Sequence, residues 1–415
     1  MDTVKSVNKN ETEPIIRVFK KIIGPIERVF KNNIRQYAML IALVAITILF
    51  QILTDGILLV PRNVTNLILQ YAYVMILAIG MILPILTGGN IDLSVGSVVA
   101  FVGAMSGVMI VNNNMNVWLG IFLCLLIGLA IGVWQGFWIA FVKVPPFICT
   151  LAGMLIFRGL TYFILTGGQT ISQFPESYQK ISSGFLPGFF VKAFGEDIDI
   201  TTLVIGIIIS VIYIILEIRK RSEKVRYNLE ALNIPLFIGK LIVIVGAINL
   251  FTFWLARFRG TPIILIVIGA LILIYTFITS STKQGRYLYA TGGNAKAARL
   301  SGINTNKVMF WSYVNMSVLA AVAGIAVSAR LNAAQPTAGQ NFELDAIAAC
   351  FIGGASAYGG VGTIVGAIIG ALVMGVLNNG MQILGLGTDW QMTIKGLVLL
   401  GAVAFDVFSK RKENK

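Results

Sequence analysis

Long apolar runs separated by short polar breaks set the pattern of this chain. A helix needs about 20 apolar residues to cross the hydrocarbon of a bilayer. On that rule, crossings are predicted at 37–54, 65–87, 94–111, 117–141, 146–166, 201–217, 237–256, 262–280, 308–330, 344–358, 363–384 and 391–408. The predicted fold is an all-α polytopic membrane protein of about 10–12 transmembrane helices. Two segments, 94–111 and 344–358, are short and rich in small residues, and each follows a polar interruption.

The polar breaks divide the chain. A basic segment, 1–36, precedes a first transmembrane block, 37–166. The loop 167–200 carries Glu176, Glu196, Asp197 and Asp199 against Lys180 and Lys192. Additional transmembrane helices fill 201–280 around a basic loop, 218–236. A second basic loop, 281–307, leads into a second block, 308–408, and a basic tail, 409–415. Short basic loops stay in the cytosol. Both termini and both basic loops are therefore expected there, and 167–200 outside. Arg257 and Arg259 fall outside on this topology, against the rule. Residues 15–30 suit either a helix lying in the headgroup layer or a solvated tail. No small-residue cleavage site follows the first apolar run, so that run is expected to stay as an anchor.

The two blocks share a pattern. Asn90-Ile91-Asp92-Leu93 precedes one short span, and Asn341-Phe342-Glu343-Leu344 precedes the other. Each acid has a glycine at the same downstream offset, Gly103 and Gly354. Glycines recur at every fourth place at Gly128, Gly132 and Gly136, and again at Gly362, Gly366 and Gly370, as faces for close helix approach. The pattern is either an inverted repeat, with a transport path at its interface, or a by-product of small-residue membrane composition.

Composition agrees with the membrane reading. Hydrophobic residues make up 57% of the chain, mean hydropathy is +0.84, and only 12% of residues are charged, where soluble domains carry about 25%. The net charge of +14 does not point to nucleic acid, because the basic residues lie in loops beside apolar runs. The three cysteines, Cys124, Cys149 and Cys350, sit in apolar runs without metal-type spacing, and there is no histidine. Histidine-based catalysis and histidine metal sites are thereby excluded.

Candidate chemistry is sparse. The stretch 87–97, TGGNIDLSVGS, breaks an apolar region with Asn90, Asp92 and Ser94. Irregular backbone at membrane depth survives only when buried in protein or lining a wet cavity, and a half-helix starting there would aim its amides at that cavity. The alternative is an interfacial turn with Asp92 as helix cap. Arg158 lies within a span, where a charge should face protein or water, as a path residue or in a structural pair. The segment 332–340, NAAQPTAGQ, reads as an external, solvated loop. No GxxxxGK[ST] phosphate loop occurs, nor HExxH, nor GxSxG. The chain is therefore expected not to be an enzyme. The loop 282–307 holds Lys283, Arg286, Lys296, Arg299 and Lys307 and no acid. Within it, 294–301 is predicted as a short helix capped by Asn294 and ended by Gly302.

Four stretches carry a family resemblance: GGNIDLSVGS at 88–97, TLAGMLIFRGL at 150–160, GRYLYATGGNAKAARLSGI at 285–303, and the small-residue run at 343–372. They resemble the membrane permease subunit of bacterial ABC sugar importers, in the branch of ribose, galactoside and xylose permeases. The extra length at 201–280 is similar to xylose-type and multiple-monosaccharide permeases. The resemblance implies a homodimer of two permease copies in the bacterial inner membrane, in contact with lipid. A cytosolic ATPase with two nucleotide-binding modules would dock on Gly292, Gly293, Asn294, Ala297, Ala298, Arg299, Leu300 and Gly302. An extracytoplasmic sugar-binding protein would deliver a monosaccharide, moved by alternating access without a cofactor. Path candidates are Asn90, Asp92, Ser94, Arg158, Asn341 and Glu343. The competing reading is an ion-coupled secondary transporter of a small polar solute.

Overall fold

The structure, a computed structural model, describes residues 34–193, 195–229 and 232–413. The expectations for 1–33 lie outside these residues. Fifteen α-helices account for nearly all of the regular structure. Two-residue strands β1 (Ile171–Ser172) and β4 (Ala333–Ala334) pair antiparallel, as do β2 (Phe190–Ala193) and β3 (Glu196–Asp199).

Two long helices form the centre. α2 (Pro61–Leu86) starts on a proline whose missing N–H costs nothing at that position. It is apolar all round and buried along most of its length, as a helix inside a bundle must be. Against it lies α12 (Thr305–Leu331). Around this pair pack α3 (Val95–Ser106), α4 (Val117–Phe137), α13 (Phe342–Ile352) and α14 (Ile364–Ile383). Both glycine ladders serve as expected. A Cβ on Gly132 would lie 2.7 Å from the Val314 Cα of α12, and one on Gly370 would lie 1.9 Å from the Ala349 carbonyl oxygen of α13.

Farther out lie α1 (Ile34–Leu53), α5 (Pro146–Ile164), α9 (Ile263–Ser281) and α15 (Thr388–Glu413). α7 (Ile200–Arg226) and α8 (Ile234–Ala256) form a hairpin at the rim, with Ile207, Ile212, Ile242 and Val243 exposed. Its polar groups are matched internally: Lys240 pairs with Glu217 at 2.7 Å, and Asn249 donates to Ser210 Oγ at 2.9 Å. A short helix, α6 (Glu176–Ser183), caps one end of the bundle. The opposite, basic end carries α10 (Lys283–Gly293) and α11 (Ala295–Leu300).

Nine helices among the described residues are long and apolar enough to cross a membrane, and Met39–Leu53 is a shorter apolar helix. The predicted continuous span over 344–358 is not there. α13 stops at Ile352, about 16 Å after it begins, because Gly354 (φ 80°), Gly359, Gly360 and Gly362 turn the chain out of the helix. The predicted solvated loop 332–340 is also corrected. Ala333, Ala334, Pro336 and Gly339 are buried, and this strand-like stretch runs into the bundle to meet α13. One crossing is thus half extended and half helical. The crossing around 87–112 is its inverse: 87–94 lacks helix, and α3 begins inside the bundle. α13 runs parallel to α2, as Tyr73–Asp345 and Ala78–Cys350 contacts show. α3 runs parallel to α12, with Gly103 beside Ser328 and Val99 beside Gly324. α2 and α12 point in opposite directions, so the two half-helices do too.

Arg257, which defied the charge rule, has a local partner. Its guanidinium donates two hydrogen bonds to Glu196, at 2.5 and 2.6 Å.

Candidate functional site

The N-termini of α3 and α13 meet in the interior. A Cβ on Gly96 would fall 2.2 Å from the Gly339 carbonyl oxygen and 2.3 Å from Glu343 Oε2. Only glycine lets two backbones come this close. Around the junction the sequence-predicted residues fall into three groups. Asp92 is fully buried, and its Oδ1 accepts from Ser94 N at 2.8 Å and from Ser94 Oγ at 2.6 Å. Ser94 Oγ accepts from Gln135 Nε2 at 2.7 Å, and Gln135 Oε1 accepts from Ser317 Oγ at 3.4 Å. This chain of polar contacts ties the start of α3 to α4 and α12. It lies inside the bundle, so the turn at Asp92 is not an interfacial one. Asp92 Oδ2 is buried without a hydrogen-bond partner.

Arg158 of α5 acts on the other broken crossing. Its Nη1 donates to the carbonyl oxygens of Pro336 at 2.9 Å and Ala338 at 2.7 Å. Those carbonyls belong to the extended half, which has no helix to satisfy them. Asn341 sits at the N-cap of α13 with φ 63°, and Glu343 and Asp345 occupy its first turn, where negative charge suits the helix dipole. Asp345 is buried, accepts from Tyr73 Oη at 2.9 Å and pairs with Lys395 of α15 at 3.0 Å. Asn90 stands apart from this cluster, its Nδ2 3.4 Å from Thr87 Oγ1.

At the basic end the loop of α10 and α11 rests on both re-entrant turns. A Cβ on Gly292 would lie 1.8 Å from the Leu86 carbonyl oxygen and 2.4 Å from Gly360 N. Gly360 N donates to that same Leu86 oxygen at 3.0 Å, and Tyr289 Oη donates to the Gly362 oxygen at 2.8 Å. α11 forms as its sequence predicts: Asn294 Oδ1 caps it by accepting from Ala297 N at 3.0 Å, and Gly302 ends it at φ 84°. Ala298 is buried beneath it, while Leu300 is 91% exposed. Gly293 has open space around it, and Arg299 reaches Thr305 Oγ1 at 3.4 Å.

A cavity of about 220 Å³ lies toward the other end, between α2, α6, α12 and α13. Tyr71, Tyr73, Ser182, Arg330 and Phe342 line it. The Tyr73 and Phe342 rings stack with centroids 3.6 Å apart. The Tyr71 and Ser182 hydroxyls are buried without partners. Sequence reasoning did not single out these residues. The available signal was a pair of tyrosines and an arginine inside apolar runs. Among the described residues no group of three or more acidic or sulfur side chains gathers to hold a metal.

Residues 63–403 match the family described as branched-chain amino acid transport system / permease component. The chain belongs to this permease family. The permease is similar to the xylose transport system permease protein of Haemophilus influenzae, 39% identical over 390 residues that cover 92% of this chain and 98% of the relative. It is 38% identical to the Escherichia coli xylose transport system permease protein over 391 residues, 92% of this chain and 93% of that one. It is 36% identical to the ribose import permease protein of Bacillus subtilis over 346 residues, 83% of this chain and 85% of the relative. No solved structure matches. The permease is thus a multi-pass membrane transport subunit and not an enzyme, and the ion-coupled carrier is set aside.

Proposed function

We propose that this permease is the membrane-spanning subunit of an ATP-driven importer of monosaccharides in a bacterial inner membrane. The observation that carries the reading is the likeness to xylose permeases along 92% of the chain. That full-length likeness favours a sugar over the amino acids in the family's description. An ATPase with two nucleotide-binding modules supplies the energy, and an extracytoplasmic sugar-binding protein delivers the cargo. Two permease copies enclose the path within the lipid.

The basic end faces the cytosol, with both termini. The blocks at 37–166 and 308–408 form the passage, and 201–280 adds helices at its edge. The ATPase docks on 281–307, with Gly292, Gly293, Asn294, Ala297, Ala298, Arg299, Leu300 and Gly302 at the contact. Leu300 supplies an exposed apolar anchor, and Gly292 passes displacement directly to the Leu86 and Gly360 backbones. Those turns end α2 and α13, so a push at the basic end reaches the interior junction of Asp92, Ser94, Gly96, Arg158, Asn341 and Glu343. Asn90 lies on the extended stretch between. Alternating access then consists of the two broken crossings moving against each other.

The test is uptake of labelled xylose, ribose, galactose and leucine by the permease reconstituted with its ATPase and binding protein. ATP-dependent uptake of a monosaccharide is expected. Uptake of leucine alone, or sugar accumulation without the ATPase, overturns the reading.

A further inference from the structure

We infer that the cavity between α2, α6, α12 and α13 is a monosaccharide subsite on the transport path, in which Tyr71, Ser182 and Arg330 meet sugar hydroxyls beside the Tyr73–Phe342 wall. The inference rests on the sugar-import reading above and adds where, in the permease, the sugar is held.

Buried polar groups in native proteins are nearly always hydrogen-bonded. Here two hydroxyls, on Tyr71 (3% exposed) and Ser182 (1% exposed), line one cavity and have no partner. A hydroxyl both donates and accepts, so two of them facing one space suit a ligand that also does both. Arg330 lines the same space and adds donors only. The opposite wall is aromatic, through the stacked Tyr73 and Phe342 rings, which suits the C–H face of a sugar ring. The volume of about 220 Å³ equals roughly seven waters at ~30 Å³ each, enough for one ring and too small for a chain of them.

Two observations argue against other ligands. The Tyr73 hydroxyl is committed to the Asp345 carboxylate at 2.9 Å, which places negative charge behind the wall and disfavours an anion. Polar groups that are buried and unpartnered make a poor lining for a lipid tail. The cavity also has a mechanical link. Phe342 is the first residue of α13, whose last residue, Ile352, leads into the turn that contacts Gly292. Cargo and the basic-end loop therefore act on opposite ends of one helix of 11 residues. Over the cavity, α6 is held to α12 by the Tyr178–Ser328 hydrogen bond at 2.8 Å.

The experiment uses the complete importer in proteoliposomes and follows initial uptake of labelled xylose and ribose together with ATP hydrolysis stimulated by the loaded binding protein. Tyr71→Phe and Ser182→Ala each remove one oxygen and are expected to lower uptake about threefold and to change the xylose-to-ribose ratio. Arg330→Gln is expected to lower uptake about tenfold. Val327→Trp, which fills the cavity without removing a polar group, is expected to block both sugars. Stimulated hydrolysis stays within about twofold of the unsubstituted importer in all four. Unchanged uptake and ratio in these variants overturns the subsite, as does a parallel fall of uptake and hydrolysis at a constant ratio. An unsubstituted importer that moves no monosaccharide overturns the functional reading itself. The subsite failing alone leaves unsubstituted uptake intact.

Discussion

Gly96 and Gly339 touch backbone to backbone: a Cβ added to Gly339 would lie 2.0 Å from the Gly96 carbonyl oxygen. Gly339 also has φ 71°, a conformation that costs a side chain extra. Gly96→Val and Gly339→Val should each force the half-helices apart and destabilise the protein by about 1–3 kcal/mol. A lower melting temperature in detergent, with uptake abolished, is the expected result. Unchanged melting in both variants would show that the junction is looser than described.

Arg158 holds two backbone carbonyls that nothing else in the extended half satisfies. Arg158→Ala should cost about 3 kcal/mol, since bonds from a charged donor contribute roughly 1.5–3 kcal/mol each. Arg158→Lys should recover only part, because a compact ammonium lacks the planar fork. Thermal unfolding of the three proteins checks the order.

Ala298 is buried under α11, so Ala298→Glu should lift that helix, and Leu300→Ser should remove its exposed apolar tip. Both are expected to weaken co-purification of the ATPase about tenfold or more while the permease stays folded in the membrane. Gly302→Pro should act likewise, because proline cannot adopt the φ of 84° found there. Normal ATPase retention and normal uptake in all three would remove the docking role from this loop.

The Glu196–Arg257 pair predicts a pH dependence. Its hydrogen bond to Arg257 holds the Glu196 carboxyl below its ordinary value of 4.5. A depressed carboxyl stabilises the fold above the unfolded value, and that contribution is lost as pH falls through the folded one. The difference in melting temperature between the unsubstituted protein and Glu196→Gln should therefore shrink below pH 4.5, and should also shrink with added salt. A difference that grows on acidification would contradict the pairing.

Apolar length and loop charge were enough to read the spans, because each follows from local composition. Asn294, Ala298 and Gly302 were legible for the same reason: a cap, a helix run and a stop occupy adjacent positions. The 344–358 segment misled because its small apolar residues satisfy a hydropathy window whether or not they continue a helix. What ends α13 is backbone geometry at Gly354 and the glycines after it. The segment 332–340 looked solvated because its carbonyls need partners, and the partner, Arg158, lies 178 residues away in sequence from Pro336. The cavity residues were hidden for a similar reason. Tyr71, Ser182 and Arg330 come from three separate elements, and only folding brings them to one space.

The α7–α8 hairpin settles its own ion pair and its own Asn249–Ser210 contact. It is fastened like an outrigger to a hull. Such an appendage can lengthen, shorten or vanish over evolution while the vessel's central channel keeps its shape, so differences in size among importers of this kind would be absorbed at the rim.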